Sequence, residues 1–267
     1  MPPAMFRARL EIERRRILQS RSREKEKQAY RERIEQAEND ENLAIAKVLL
    51  ARENSPDRVP LVALPSGCDR LVPLSGERRQ RYRKNLRAML ADALACASVE
   101  ELPRDQHYDA HDRRLETGRY LSQQTRLERF YDQLCGQCRG GCCAAGGDHA
   151  HLSAVGLRRV LDANPEMRAD DLVQIYVDHL PQQSMAGACI NQTADGCALP
   201  RELRSDICNG YFCPGLKALK AEWEMGAPER LLVIQRSNNN WNRFERGEAN
   251  PVVAVIWVEE DRVVPAE

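Results

Sequence analysis

Cysteine is the residue type in this sequence whose number and spacing could do chemistry. Soft thiolate ligands favour zinc or an iron–sulfur cluster over magnesium or calcium. A Cys-x-x-Cys turn lets two thiolates converge on one metal, while backbone N–H groups in the turn ease their negative charge. We predict that eight of the ten cysteines are metal ligands: Cys135, Cys138, Cys142, Cys143, Cys189, Cys197, Cys208 and Cys213.

The first four of these cysteines lie in a glycine-rich segment that could wrap around an ion. Gly136, Gly140 and Gly141 are expected to allow a tight loop, because glycine tolerates positive φ. Cys142 and Cys143 are adjacent, and in an extended chain their side chains point to opposite sides. Two four-ligand centres are therefore one interpretation. One four-ligand centre, with the other thiols left over or redox-active, fits the sequence equally well.

Two histidines follow this cluster closely, in the segment Asp-His-Ala-His. On a strand, His149 and His151 would face one side and could replace a cysteine in a mixed site. The alternative interpretation is that they are two polar residues that lead into a helix capped by Ser153. The sequence leaves both interpretations open.

Four further residues of metal-binding type are expected to serve other purposes. His107 and His111 have a spacing that can bind a metal on a helix, but no third type of ligand lies near them. We expect them to be surface histidines. Cys68 stands alone in a polar turn, and Cys96 lies beside the apolar stripe of a predicted helix, where a buried structural thiol is common.

The cellular compartment decides how so many cysteines are interpreted. The first residues contain no apolar run typical of a signal peptide, and no segment approaches the roughly 20 apolar residues of a membrane helix. We therefore expect a cytoplasmic protein without a membrane partner, in which cysteines bind metal rather than form disulfides. The 40 basic and 40 acidic residues balance, so no general attraction to nucleic acid is expected.

The N-terminal region is the most polar part of the chain. Residues 6–41 are rich in good helix formers and lack glycine and proline, which predicts one long helix. Its apolar residues are too sparse for a sustained heptad, and Arg7–Arg23 carries an excess of basic residues. A solvated helical extension and an arm that docks a protein partner or nucleic acid are both open interpretations.

Hydrophobic periodicity and turn residues predict the remaining elements. Extended chain is expected near residue 61, with a short hairpin around Ser66–Gly67, and a C-terminal β-hairpin from 230–236 and 251–258. Four helices are also predicted: Glu77–Ala97 with a Ser75 cap, Ser122–Leu134, a helix from Ser153 to Ala163, and one capped by Asp170 that runs to His179. The first of these is expected to bury a stripe made of Leu86, Met89, Leu90, Ala93, Leu94 and Ala97.

Together these elements predict a mixed, mostly α fold. A long N-terminal helix and a helical middle would precede a metal-stapled cysteine-cluster core and the C-terminal β-hairpin. The expected regions are a charged helical extension (1–58), a helical region with a short extended segment (59–125), a cysteine-cluster metal-binding domain (126–220) and a β-hairpin region (221–267).

The cysteine pattern resembles that of the YkgJ-like family, bacterial cysteine-cluster proteins with a CxxCxxCC signature that are described as zinc- or iron-chelating. In that family a first cluster ends in a Cys-Cys pair. The positions that match it here are Cys135, Cys138 and the Cys142–Cys143 pair, with one extra residue after Cys138. The resemblance covers roughly residues 130–215.

The later part of the family pattern is also present. The Cys189–Cys197 loop matches the acidic, glycine-bearing loop, and Cys208–Cys213 matches the final pair with an aromatic residue between them. The family's Arg-Pro element appears here as Arg204-Ser205, and Phe212 replaces the usual proline. All eight thiol positions are retained, so the resemblance implies a zinc or iron–sulfur cofactor, in one or two centres.

Three functions are compatible with these observations. The first is a metal-binding protein with a structural, redox or iron-sensing role. The second is a metal-containing enzyme, since one branch of the family is associated with lysine methylation of flagellin, although the chain has no GxGxxG or P-loop motif. The third is an interaction protein that docks a partner through its N-terminal helix.

Overall fold

The protein is described by a computed structural model that covers residues 3–53, 59–102, 113–116, 118–121, 123–141, 143–237 and 247–266. The predicted surface histidines His107 and His111, and the predicted ligand Cys142, lie outside these residues. The chain divides into two compact units. One is Met1–Asn54 with Asn242–Ala249, and the other is Ser55–Trp241 with Asn250–Glu267.

The first unit is dominated by helix α1, Pro3–Arg52. Its 50 residues make it about 75 Å long at the standard rise per residue. Ion pairs one turn apart, such as Arg15 with Glu11 at 3.3 Å, line its surface. The predicted long N-terminal helix is thus confirmed, and it continues through the more apolar segment after residue 41 without a break.

The second unit contains a four-stranded sheet in the order β1-β6-β7-β8. Strands β6 and β7 are antiparallel, which confirms the predicted C-terminal hairpin. The sheet is larger than predicted, because β1 joins the hairpin in parallel and β8 extends it. The strands of this sheet are β1 Leu61–Ser66, β6 Arg230–Ser237, β7 Val252–Glu259 and β8 Val263–Pro265.

The expected hairpin around Ser66–Gly67 is wrong. Strand β1 pairs with β6, whereas β2 (Leu71–Pro73) pairs antiparallel with β3 (Gln183–Met185). Both strands find their partners far along the chain, and residues 67–70 between them form neither a turn nor a bend. A second small ribbon joins β4 (Gln192–Thr193) to β5 (Gly196–Cys197).

The four helices predicted in this unit begin and end within a few residues of the expected positions, and two helices after Ser205 were not predicted. The helices of the unit are α2 Gly76–Leu94, α3 Thr125–Gln137, α4 Ala154–Ala163, α5 Ala169–Asp178, α6 Asp206–Gly210 and α7 Pro214–Met225. Ser75 and Ser153 cap α2 and α4 as predicted, each accepting a hydrogen bond from a backbone N–H three residues later. The predicted Asp170 cap is wrong, because Arg168 is the cap residue and Asp170 lies in the first turn.

The buried stripe of α2 also differs from its prediction. Tyr82, Leu86, Leu90 and Ala93 are buried, but Leu94 is 51% exposed because the helix ends there. The stripe therefore begins a turn earlier than the hydrophobic pattern suggested. Tyrosine serves as a core residue here, since its ring supplies large apolar area.

Two hydrophobic clusters form the core of the second unit. One joins α2, α4 and α5, and the other joins α3 and α7 to the sheet. Cys143, Cys189 and Cys197 pack against the first cluster, whereas Cys213 packs against the second. The cysteine-bearing segments thus lie where the two clusters meet. Within the described part of the chain, no helix has the length and apolarity needed to cross a membrane.

Candidate metal centre

Seven of the eight predicted ligands lie in the described residues, and six segments of the chain carry them. Cys135 occupies the last turn of α3, Cys138 caps that helix, and Cys143 begins a short 3-10 helix, Cys143–Gly146. Cys189 follows β3, Cys197 ends β5, Cys208 lies in α6 and Cys213 precedes α7. The first Cys-x-x-Cys pair is therefore the end of a helix rather than a free turn.

These segments converge on two adjoining cavities. The larger has a volume of about 290 Å³ and is lined by Cys135, Cys138, Cys143, Cys208 and Cys213 together with His151. The smaller, of about 20 Å³, is lined by Cys143, Cys189, Cys197, Cys208 and His151. Cys143, Cys208 and His151 line both cavities. Each of the seven described cysteines of the predicted ligand set therefore lines at least one of the two cavities.

The sulfur atoms do not form a closed coordination sphere in this conformation. Across the described residues, no three His, Cys, Asp or Glu side chains are grouped closely enough to hold one metal ion. Cysteine side chains can change direction by rotating χ1 between staggered wells. The cavities therefore offer donors of the right type around a shared space, and convergence on a metal would require such rotations.

Burial and crowding keep several of these thiols protonated. Burial raises the pKa of Cys189 to about 12, and the neighbouring Cys208 and Cys197 add to that rise. Burial likewise raises the pKa of Cys213, with a contribution from nearby Cys138. Adjacent thiolates repel one another in a medium of low dielectric constant. A bound cation would relieve both effects, because it stabilises the deprotonated sulfur.

A positive charge already lies beside the sulfur atoms. The Arg204 guanidinium interacts electrostatically with Cys197 and Cys135. Its Nε donates to the Leu199 carbonyl at 2.8 Å, and its Nη1 donates to Asp132 at 3.1 Å. These bonds fix the orientation of the charge. Arg204 can therefore offset part of the negative charge that several thiolates would carry.

Asn191 provides an independent test of whether the smaller cavity suits an inorganic group. Its side chain is 1% exposed and lines that cavity, yet neither amide atom has a hydrogen-bond partner of good geometry. The Tyr82 hydroxyl lies near enough to interact electrostatically with this side chain. Leaving a buried amide unsatisfied costs about 1–3 kcal/mol. A metal-bound sulfur would accept from this amide, which is the environment that ligands of metal centres commonly have.

Close packing explains more of the glycines here than backbone conformation does. Gly140 has a φ of +94°, as predicted for a tight loop, but Gly136 and Gly141 do not have positive φ values. Gly136 lies in α3, where a Cβ atom would approach the Asp195 carbonyl to 2.8 Å. At Gly146, a position that the sequence did not single out, a Cβ atom would lie 3.3 Å from Cys189 Sγ.

The two histidines take different positions. They lie in a turn rather than on a strand, and their rings meet edge to face with centroids 5.4 Å apart. His151, with a φ of +55°, lines both cavities, whereas His149 accepts a hydrogen bond from the His151 backbone N–H at Nδ1. His151 is therefore the histidine that a mixed site could use. The predicted non-ligands Cys68 and Cys96 line neither cavity.

Sequence reasoning missed Asn191 and gave Arg204 no role in the chemistry. Asn191 lies two residues after Cys189 and six before Cys197, so its position inside a ligand-bearing loop was the available signal. Three comparisons with known proteins add nothing further, since no family profile, curated protein or solved structure matches the chain. The YkgJ-like resemblance stays a prediction based on the cysteine pattern.

Proposed function

We propose that the chain is a metal-binding protein that holds zinc or an iron–sulfur centre where its cysteine-bearing segments meet. The observation that carries this proposal is the convergence of seven cysteines and His151 from separate segments on two adjoining cavities. A single buried thiol is an ordinary core residue, but seven thiols from separate segments around two cavities are denser than core packing requires. A thiolate-rich site of this kind suits zinc or iron.

The two cavities suggest how the ligands would divide. Cys135, Cys138 and Cys213 would serve the larger space, and Cys189 and Cys197 the smaller, with Cys143, Cys208 and His151 available to either. The smaller volume matches about one ion, whereas the larger has room for a multi-atom cluster. The metal would supply cross-links among segments that share little secondary structure, and an iron–sulfur centre would add one-electron chemistry.

The first test is elemental analysis and absorption spectroscopy of protein purified without oxygen. Iron with acid-labile sulfide and a broad band near roughly 400 nm would identify an iron–sulfur centre. Stoichiometric zinc in a colourless protein would identify a zinc site. Folded protein that contains neither metal would contradict the proposal.

A matched pair of variants connects the metal to these cavities. Cys208→Ser should lose most of the bound metal, because this residue lines both cavities, whereas Cys68→Ser should keep the full content. Circular dichroism of each variant shows whether the protein still folds. If the Cys208→Ser variant retains all of its metal, Cys208 is not a ligand. If Cys135→Ser and Cys189→Ser also retain it, the cavities are not the metal site.

The exposed surface of α1 supports a second role, the docking of a protein partner. Near its N-terminus six large apolar side chains are 50–64% exposed: Met5, Phe6, Leu10, Ile12, Ile17 and Leu18. Exposed apolar side chains can be buried against another protein, which gives α1 a means of docking a partner. Cross-linking in cells should capture a partner that the Leu10→Asp, Ile17→Asp double variant loses. Equal capture by the variant would contradict this role.

A further inference from the structure

A second concave region lies apart from the cysteine-lined cavities. It is a cleft of about 680 Å³ at the carboxyl ends of β1 and β6, where Ser66 and Ser237 line it. These two strands form the parallel pair among the described strands. Ligands of α/β proteins bind beyond the carboxyl ends of parallel strands, and small-molecule sites have volumes of about 300–1,000 Å³.

The cleft walls are built largely from backbone and very small side chains. A Cβ atom at Gly67 would lie 2.1 Å from the Arg139 carbonyl oxygen, so only glycine fits there. At Gly140, which also has a positive φ, a Cβ atom would lie 2.8 Å from Ala188 Cβ. A ligand in the cleft could therefore approach peptide groups directly.

Four side chains give the cleft a defined polarity. Arg139 supplies a positive charge, Asp69 supplies a negative charge, and Ser66 and Gln235 are buried polar residues. Gln235 is 3% exposed, and its Nε2 donates to the Gln137 carbonyl at 2.5 Å. That bond fixes the amide and leaves Oε1 as the group that Gln235 can offer to a ligand. The cleft thus combines one cation, one anion and a fixed acceptor.

Arg139 occupies a backbone conformation that its residue type does not favour. Its φ is +49°, in the left-handed region where glycine and asparagine are at lower energy. Arg139 lines the cleft and is half-buried. If this position served only the backbone conformation of the loop, glycine or asparagine would be the more favourable residue. The guanidinium is therefore the feature that this position supplies.

We propose that this cleft binds a small zwitterionic metabolite of the amino-acid class. The carboxylate of the ligand pairs with Arg139, and its ammonium group meets Asp69 and the Oε1 of Gln235. A purely anionic ligand would be repelled by Asp69, and a purely cationic ligand by Arg139. A zwitterion satisfies both charges, and the remaining volume accommodates its side chain.

Isothermal titration calorimetry with the free L-amino acids, one at a time, tests this proposal on the full-length protein. Inorganic phosphate and methylamine serve as probes that carry only one kind of charge. At least one amino acid should bind at one site per chain, at least about tenfold more tightly than either probe. Phosphate that binds as tightly as the best amino acid would overturn the zwitterion assignment, as would the absence of binding by every amino acid.

Three variants locate the binding site. Arg139→Asn keeps a residue that tolerates the left-handed backbone, and should weaken binding by at least about tenfold through loss of the carboxylate partner. Ala254→Leu should weaken binding by filling the cleft. The control, Arg70→Asn, removes a neighbouring exposed charge that does not line the cleft and should leave affinity unchanged. Unchanged affinity in both Arg139→Asn and Ala254→Leu would place the ligand elsewhere.

Metal content and ligand affinity are measured on the same samples. A protein that binds an amino acid but contains no zinc or iron would support the cleft and contradict the proposed metal function. A protein that contains metal but binds no amino acid would support the proposed metal function and contradict the proposed ligand of the cleft. The two proposals therefore stand or fall separately.

Discussion

Asp148 shows how single side chains hold the cysteine-bearing loops in place. Its carboxylate accepts hydrogen bonds from Arg78 and, at 2.7 Å, from Arg81 of α2. Arg78 also donates to Ser184 Oγ at 3.0 Å and to the Ala188 carbonyl at 3.1 Å. One guanidinium thereby ties the segments that precede His149 and Cys189 to a single helix. The loops gain a fixed spacing without any metal.

This network makes stability depend on pH in a defined direction. Burial alone would raise the pKa of Asp148, but hydrogen bonds from Arg78 and Arg81 outweigh it and lower that pKa. The stabilisation is therefore complete above the unfolded-state pKa of about 3.9 and is lost as pH falls through the lower folded-state pKa. Asp148→Asn should reduce the free energy of unfolding by about 1 kcal/mol at neutral pH.

Urea denaturation across a pH series checks this expectation. The difference between the wild-type protein and Asp148→Asn should shrink toward zero in acid, because the protonated carboxyl no longer pairs. The exposed residue Asp195, which lies in a turn, offers a control, since Asp195→Asn should be near neutral at every pH. A difference for Asp148→Asn that stays constant with pH would show that shape, and not charge, explains the effect.

At the scale of elements, helix α7 packs closely against strand β1 beside the candidate metal centre. A Cβ atom at Gly215 would lie 2.6 Å from the Ala63 carbonyl oxygen and 2.8 Å from Leu64 Cδ2. Gly215→Ala should push the helix away and destabilise the protein by about 1–3 kcal/mol. Because α7 begins directly after Cys213, metal retention should also fall.

Gly76 supplies the matched control for this substitution. It also lies in the first turn of a helix, α2, but a Cβ atom there would have no neighbour within 4 Å. Gly76→Ala should therefore be neutral or stabilise the protein by up to about 1 kcal/mol. Urea denaturation and metal analysis of both variants provide the measurements. Equal effects of the two substitutions would mean that the α7–β1 contact is not as close as described.

Local patterns predicted the elements better than their partners. The Ser75 and Ser153 caps and the apolar face of α3 follow from residues within a few positions of one another, so periodicity and side-chain chemistry reveal them. The pairing of β1 with β6 depends on residues such as Val62 and Val233, far apart in sequence. No local signal specifies such a pairing, because many apolar strands could satisfy the same edge.

The residues of the candidate site could likewise be predicted from the sequence only in part. Cysteine type and density indicated which residues belong together, because few other roles suit so many thiols in a short stretch. The contribution of Asn191 could not be foreseen, since an asparagine in a loop usually faces solvent or forms a turn. Its significance comes from burial beside Cys189 and Cys197, which depends on how the segments that line the smaller cavity pack.

At the scale of the whole molecule, the division into two units predicts that they can be separated functionally. All seven described cysteines of the candidate centre belong to the second unit, and every described side chain from Met5 to Ala29 in α1 is exposed. Deletion of residues 1–41 should therefore leave the metal content per chain unchanged. Elemental analysis of truncated and full-length protein checks this. Loss of metal on truncation would show that α1 supports the centre.

The parallel pairing of β1 with β6 also fixes an order of events during synthesis. Strand β1 ends at Ser66, and its partner begins only at Arg230, beyond all of the proposed ligands. At about 5–20 residues per second, a ribosome needs roughly 10–30 s to make the intervening chain. Throughout that time the sheet cannot close. The cysteines emerge before the strand that completes the fold, so an ion captured on the nascent chain would be in place before β6 arrives.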